Sequence, residues 1–194
     1  KYDVEIFDAT MDDISEEEFG RIISEKKPDI LGISVLVNEY AQTGHVAARI
    51  AKENHVSVKT VVGGVHATSN PNPLLSDPNI DYVVRGEGEY VFRDLCNFLN
   101  KEGDFPKRGV SYKEGEKIVN GGIADFITNL DALPFPAFHL VDFKRYTTKV
   151  PRESLDRPGK MPFGRLKTAR GCPYNCCFCD VGSISGKKMR FRSL

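Results

Sequence analysis

The sequence reads as an α/β protein built on a doubly wound parallel sheet, and three features say so. Short β-branched runs, DILGISVLV, VKTVVGG and DYVVRG, alternate with helical patterns, the order that gives parallel strands joined by crossover helices. The first run is apolar almost throughout, as in a strand covered on both faces. Glycines close the other two, where strand-to-helix turns belong.

Each element has a local reason. Residues 3–9, DVEIFDA, read as a first strand. Ser15 and Glu18 have capping-box spacing and open a helix over SEEEFGRIISEKK, with Phe19, Ile22 and Ile23 on one face. Pro28 ends it. EYAQTGHVAARIAKEN and EYVFRDLCNFLNKE are the further helices, and TSNPNPLLSDP reads as a loop. After Gly103 the pattern changes. RGVSYKEGEKIVNGG reads as a hairpin with strands near 109–112 and 117–120 around a Glu-Gly turn. The stretch to about residue 160 is rich in prolines and aromatics and packs through Phe126, Leu130, Leu133, Phe135 and Phe138. FGRLKTARG is then a strand entering a cysteine loop. The expected division is a Rossmann or flavodoxin-like domain over 1–104, a connector with a hairpin over 105–159, and a third unit over 160–194.

Composition narrows the function. The chain is 40% hydrophobic and 28% charged, as ordinary globular proteins are. No apolar run reaches the roughly 20 residues of a membrane helix, and the amino terminus has no signal-peptide pattern. A cytoplasmic protein with no membrane partner is expected. The net charge is zero, yet eleven of the 27 Lys/Arg and only three of the 27 Asp/Glu follow residue 148. Overall neutrality argues against nucleic acid as the main partner.

Ligands of doubly wound sheets bind beyond the carboxyl ends of the strands. Asp8 to Thr10, Ser34 to Asn38, Gly63 to Thr68 and Arg85 to Glu89 fall at that edge. Glycines there admit a ligand close to the backbone, or serve only the turn. Neither a GxGxxG fingerprint nor a GxxxxGK[ST] phosphate loop is present. The cysteines say more. Four of the five lie in ARGCPYNCCFCD, residues 169–180. Cys172, Cys176 and Cys179 have CxxxCxxC spacing, so their thiolates converge on one inorganic centre from a single short loop. Cys177 points elsewhere. Three thiolates leave one iron of a cubane open, whereas zinc normally takes four ligands. A zinc site using all four cysteines stays open.

CPYNCCFC resembles the cluster loop of radical S-adenosylmethionine (SAM) enzymes, with Phe178 in the aromatic position beside the SAM site. The resemblance implies a [4Fe-4S] cluster on Cys172, Cys176 and Cys179, whose open iron is chelated by SAM. A reduced cluster, fed by an electron donor, would cleave SAM to a 5′-deoxyadenosyl radical. It also implies that Leu166 to Ala169 form the first strand of a partial (β/α) barrel. Upstream, KPDILGIS, VVGGVHATSNP and DYVVRGEGE resemble the cobalamin-binding domain of cobalamin-dependent radical SAM methyltransferases and of anaerobic Mg-protoporphyrin monomethyl ester cyclases. That resemblance places Ser34, Gly63, Gly64, Val65, His66, Gly86, Glu87 and Gly88 around cobalamin.

Two departures shape what is expected. Thr10 stands where DxHxxG domains carry their cobalt-ligating histidine, so no histidine ligation comes from that position. The chain also reads as a piece of a longer enzyme. It opens at what would be the second strand of such a domain, and fifteen residues follow Cys179, where a full barrel takes about 250. The piece alone is expected to be inactive, with methyl transfer or oxidative cyclisation at an unactivated carbon belonging to the parent. Two alternatives stand beside this: a radical SAM enzyme whose first domain has lost cobalamin, and a non-catalytic zinc module. Methylthiotransferases carry three further cysteines in their first domain, and here only Cys96 lies upstream. The organic substrate is not legible.

Overall fold

The computed structural model describes residues 2–142 and 166–193. The first two elements are helices α1 (Ala9–Asp12) and α2 (Glu16–Lys26). Asp8 caps α1 by accepting from Met11 N–H, and Ser15 caps α2 by accepting from Glu18 N–H at 3.1 Å. The strand expected over 3–9 does not form; residues 2–8 carry no ladder. Strands exist only when paired, and among the described residues β1 (Ile30–Ser34) pairs with β2 (Lys59–Gly63) alone. The segment is held instead by side chains. Tyr2 O–H donates to Asn97 Oδ1 at 2.6 Å, Lys26 Nζ donates to Glu5 at 2.7 Å, and Phe7 stacks on Phe19 at 5.6 Å.

The sheet has order β1-β2-β3-β4-β5, with β3 at Tyr82–Val84, β4 at Val110–Glu114 and β5 at Lys117–Val119. β1, β2 and β3 run parallel; β4 and β5 run antiparallel. Strand order does not reverse among the described residues. The hairpin expected within the connector forms around Gly115, and it extends this sheet through β3–β4 pairing. β1 is an edge strand with only half-buried or exposed side chains, so the expectation that both its faces are covered is not met.

Helix α3 (Ala41–Asn54) follows a 3-10 turn at Asn38–Tyr40. The segment 68–78 is not the loop its prolines suggest. It holds the end of α4 (Val65–Ser69) and all of α5 (Pro71–Ser76). Pro71 sits in the first turn of α5, where a missing N–H costs nothing. Helix α6 (Gly88–Leu99) completes the unit. Alternation along β2 and β3 sends Val62 and Val83 to one face, with Ala48, Ala67, Leu74 and Leu75. Val61 and Val84 face the other, with Leu95 and Val110. Helices therefore cover both faces, the doubly wound arrangement.

Beyond the hairpin, Ile127, Leu130 and Leu133 are buried against Tyr90. Phe126, Phe135 and Phe138 remain more than a third exposed, because two of these rings lie under arginines instead of in a core: Phe126 under Arg190 and Phe135 under Arg192. Residues 143–165, with the rest of the expected connector and the start of FGRLKTARG, lie outside the described residues. Of that expected strand only Ala169–Arg170 (β6) is in a ladder, paired antiparallel with Arg190–Phe191 (β7); residues 166–168 have no partner strand. Helix α7 (Val181–Ser185) lies between β6 and β7.

Candidate functional site

The carboxyl ends of β1, β2 and β3 form one stitched edge. Val35 N–H donates to Gly63 O at 2.9 Å, and His66 N–H donates back to Val35 O at 3.2 Å. Gly64 has φ +102°, and a Cβ there would stand 2.5 Å from Val35 O, so only glycine fits. Thr68 joins the second turn to the third. Its Oγ1 donates to Gly64 O and accepts from Gly86 N–H, both at 2.9 Å. His66 is buried, and its Nδ1 lies 2.7 Å from Asn38 Oδ1. That oxygen can only accept, so the ring donates through Nδ1. Ser34 is exposed at the rim, beside exposed Leu36, Val37 and Tyr40. Polar turns flanked by free apolar side chains suit a flat, largely apolar ring with polar substituents.

Sequence reasoning put Ser34, Gly63, Gly64, Val65, His66, Gly86, Glu87 and Gly88 on this edge, and all lie at strand ends or helix starts. Glu87 is different in its contacts. Its carboxylate accepts from Arg190 at 2.6 and 2.8 Å and from Ile127 N–H at 2.8 Å. Asn38 and Thr68 fell within the stretches placed at this edge, without an assigned contact; Arg170 and Arg190 were missed as site residues. Only the acidic pair in RGEGE signalled that cations would be drawn there.

The cysteine loop leaves β6 through Gly171 and returns through α7 to β7. Cys172 N–H donates to Gly186 O at 3.0 Å, and Cys179 N–H donates to Cys176 O at 3.1 Å, closing a tight turn. Cys172, Cys176 and Cys179 line one cavity of about 190 Å³, together with Tyr174, Asn175 and Lys187. Cys177 does not line it. Phe178 does not either, and its side chain is 89% exposed. Among the described residues no three ligand side chains converge tightly enough for a single metal ion. Three cysteine thiols lining one cavity are the kind of donor set that holds iron–sulfur clusters. Asp180, the residue before α7, accepts from Ser69 Oγ at the end of α4, which sets this cavity beside the glycine-turn edge.

Residues 1–96 match the B12 binding domain family. They belong to it. The rest of the chain continues the likeness. An uncharacterized methyltransferase of Pyrococcus horikoshii is 34% identical over all of this chain. The cobalamin-dependent radical SAM methyltransferase TokK of Streptomyces tokunonensis is 32% identical over 84% of it, and the anaerobic magnesium-protoporphyrin IX monomethyl ester cyclase of Rubrivivax gelatinosus is 30% identical over 92%. The chain spans 40%, 24% and 31% of these relatives' lengths. Among solved structures, the radical SAM methyltransferase TsrM of Kitasatospora setae, with cobalamin and a [4Fe-4S] cluster bound, superposes with a TM-score of 0.69. It is 19% identical, with 99% of this chain and 38% of that one covered, so the fold is shared. The match covers the α/β unit as far as α6, and the relatives include a cobalamin-dependent radical SAM methyltransferase and an anaerobic magnesium-protoporphyrin IX monomethyl ester cyclase. Among the described residues no helix is long and apolar enough to cross a membrane.

Proposed function

We propose that this chain is the cofactor-binding part of a cobalamin-dependent radical SAM methyltransferase acting on an unactivated carbon of a small organic substrate. One observation carries the reading. Three of the four clustered cysteines line a single cavity, and that cavity is tied to the glycine-turn edge of the B12-binding domain. When bound, a reduced cluster supplies the electron that cleaves SAM, and cobalamin supplies a methyl carrier.

The chain's own residues hold and orient. Cys172, Cys176 and Cys179 would hold the cluster as thiolates, and a set of three protein ligands would leave room for SAM. Ser34, Gly63, Gly64, Val65, Gly86 and Gly88 border the crevice for cobalamin, and the Asn38 contact fixes the His66 ring there. Cobalt receives no histidine from position 10, which is threonine. Phe178 is exposed beside the loop and free to cover bound SAM. Cys176 and Cys179 are exposed, so a cluster held on them would be open to an external electron donor. The likeness to the Rubrivivax cyclase supports oxidative cyclisation as a second reaction class.

Anaerobic reconstitution of the chain with iron, sulfide and cobalamin tests the reading. The wild type and Cys177→Ala should take up about four irons per chain, while Cys172→Ala, Cys176→Ala and Cys179→Ala lose them. Corrin absorption bands should persist after gel filtration. Stoichiometric zinc without iron would instead identify a zinc module, and iron without corrin a domain that has lost cobalamin.

A further inference from the structure

We propose that Glu87 and Glu89 are positioning residues that assemble and aim the cysteine loop, so that Glu87 serves the loop rather than lining the cobalamin crevice. Arg170 and Arg190 stand directly opposite each other on β6 and β7. Like charges so placed repel, and the ladder has only two residues per strand. Such a hairpin needs an outside anchor, and the RGEGE turn supplies it.

The anchor is specific. Glu87 and Arg190 side chains are 3% and 8% exposed, and the guanidinium meets both carboxylate oxygens in a fork. Its remaining reach is spent on Ile127 O at 2.6 Å and Ser185 O at 2.5 Å. Arg170 pairs with Glu89 and lies 3.6 Å from Glu87. Each arginine thus has its own glutamate, and the two glutamates bracket the first residue of α6. Arg170 is two residues before Cys172, and Gly186, which follows Ser185, accepts from Cys172 N–H. Moving Arg190 therefore moves both walls of the cavity. The loop's shape is set by the sheet domain, not by the loop alone.

What the cavity holds rests on the functional reading above; the docking does not, and the experiment separates them. Hydrogen–deuterium exchange on the cofactor-free 194-residue chain compares wild type with Glu87→Gln and Glu89→Gln. Glu87→Gln should speed exchange across 169–192 about tenfold and leave β2 and β3 unchanged. Its reconstituted iron content should fall, while its cobalamin affinity stays within about twofold of wild type. Unchanged exchange in 169–192, or an equal rise in β2, overturns the proposal. So does lost cobalamin affinity with unchanged exchange, which would return Glu87 to the crevice. Should Glu87→Gln fail to fold, Glu89→Gln decides: a rise confined to 169–192 supports the anchor and no change sinks it. A wild type that takes no iron but whose variant loosens the loop defeats the cofactor reading and leaves the anchor standing.

Discussion

Gly64 and Asp81 show what single positions contribute. At Gly64 the positive φ and the nearby Val35 carbonyl exclude any side chain. Gly64→Ala should destabilise the chain by about 1–3 kcal/mol, read as a lower urea midpoint. Asp81 is half-buried. Burial alone would raise its carboxyl, but Lys52 Nζ at 2.6 Å and the N–H and hydroxyl of Thr60 draw it below the ordinary 3.8. A depressed carboxyl stabilises the fold above its unfolded value and loses that contribution as pH falls through its folded value. Asp81→Asn should therefore be less stable than wild type at pH 7, with the gap narrowing below pH 4 in parallel urea titrations. Burial raises the Cys96 thiol, so iodoacetamide should label Cys176, Cys177 and Cys179 well before Cys96.

Helix α6 is the element on which one side of the sheet depends. Leu95 is fully buried against Val61, Val84 and Val110. Leu95→Ala should cost about 2–5 kcal/mol in chemical unfolding, with the far-ultraviolet spectrum of the folded state kept. Elements with local signals were legible in the sequence: the Ser15 cap of α2, the Glu-Gly turn of the hairpin, and the runs that became β2 and β3. Where the outcome depended on distant neighbours, reading failed. Val4, Ile6 and Phe7 have a strand's composition but pair with no strand among the described residues, and all three are exposed. Pro71 and Pro73 read as loop residues, yet Leu74 and Leu75 behind them needed burial, and a short helix delivers both to the core. The hairpin was found but not its place, since nothing inside it specifies pairing with β3.

Across the whole molecule, the candidate site divides the same way. The cysteine spacing lay open in the sequence because all its parts fall within eight residues. Pairing of the RGEGE glutamates with Arg170 and Arg190 was hidden, since the partners sit 81 and 103 residues further on. Replacing Arg190 by Ala would leave the buried Glu87 carboxylate with only the Ile127 N–H and Arg170 at 3.6 Å, a loss of about 3 kcal/mol. The expected record is an early, shallow thermal transition for 169–192 ahead of the sheet. The 103-residue separation also orders assembly in time. Bringing ends so far apart together exacts a loop-closure entropy that neighbouring β1–β2 contacts avoid. The cysteine loop should therefore reach its finished arrangement after the β1–β2 pairing, which pulse-labelled hydrogen exchange during refolding would record as later protection of 169–192.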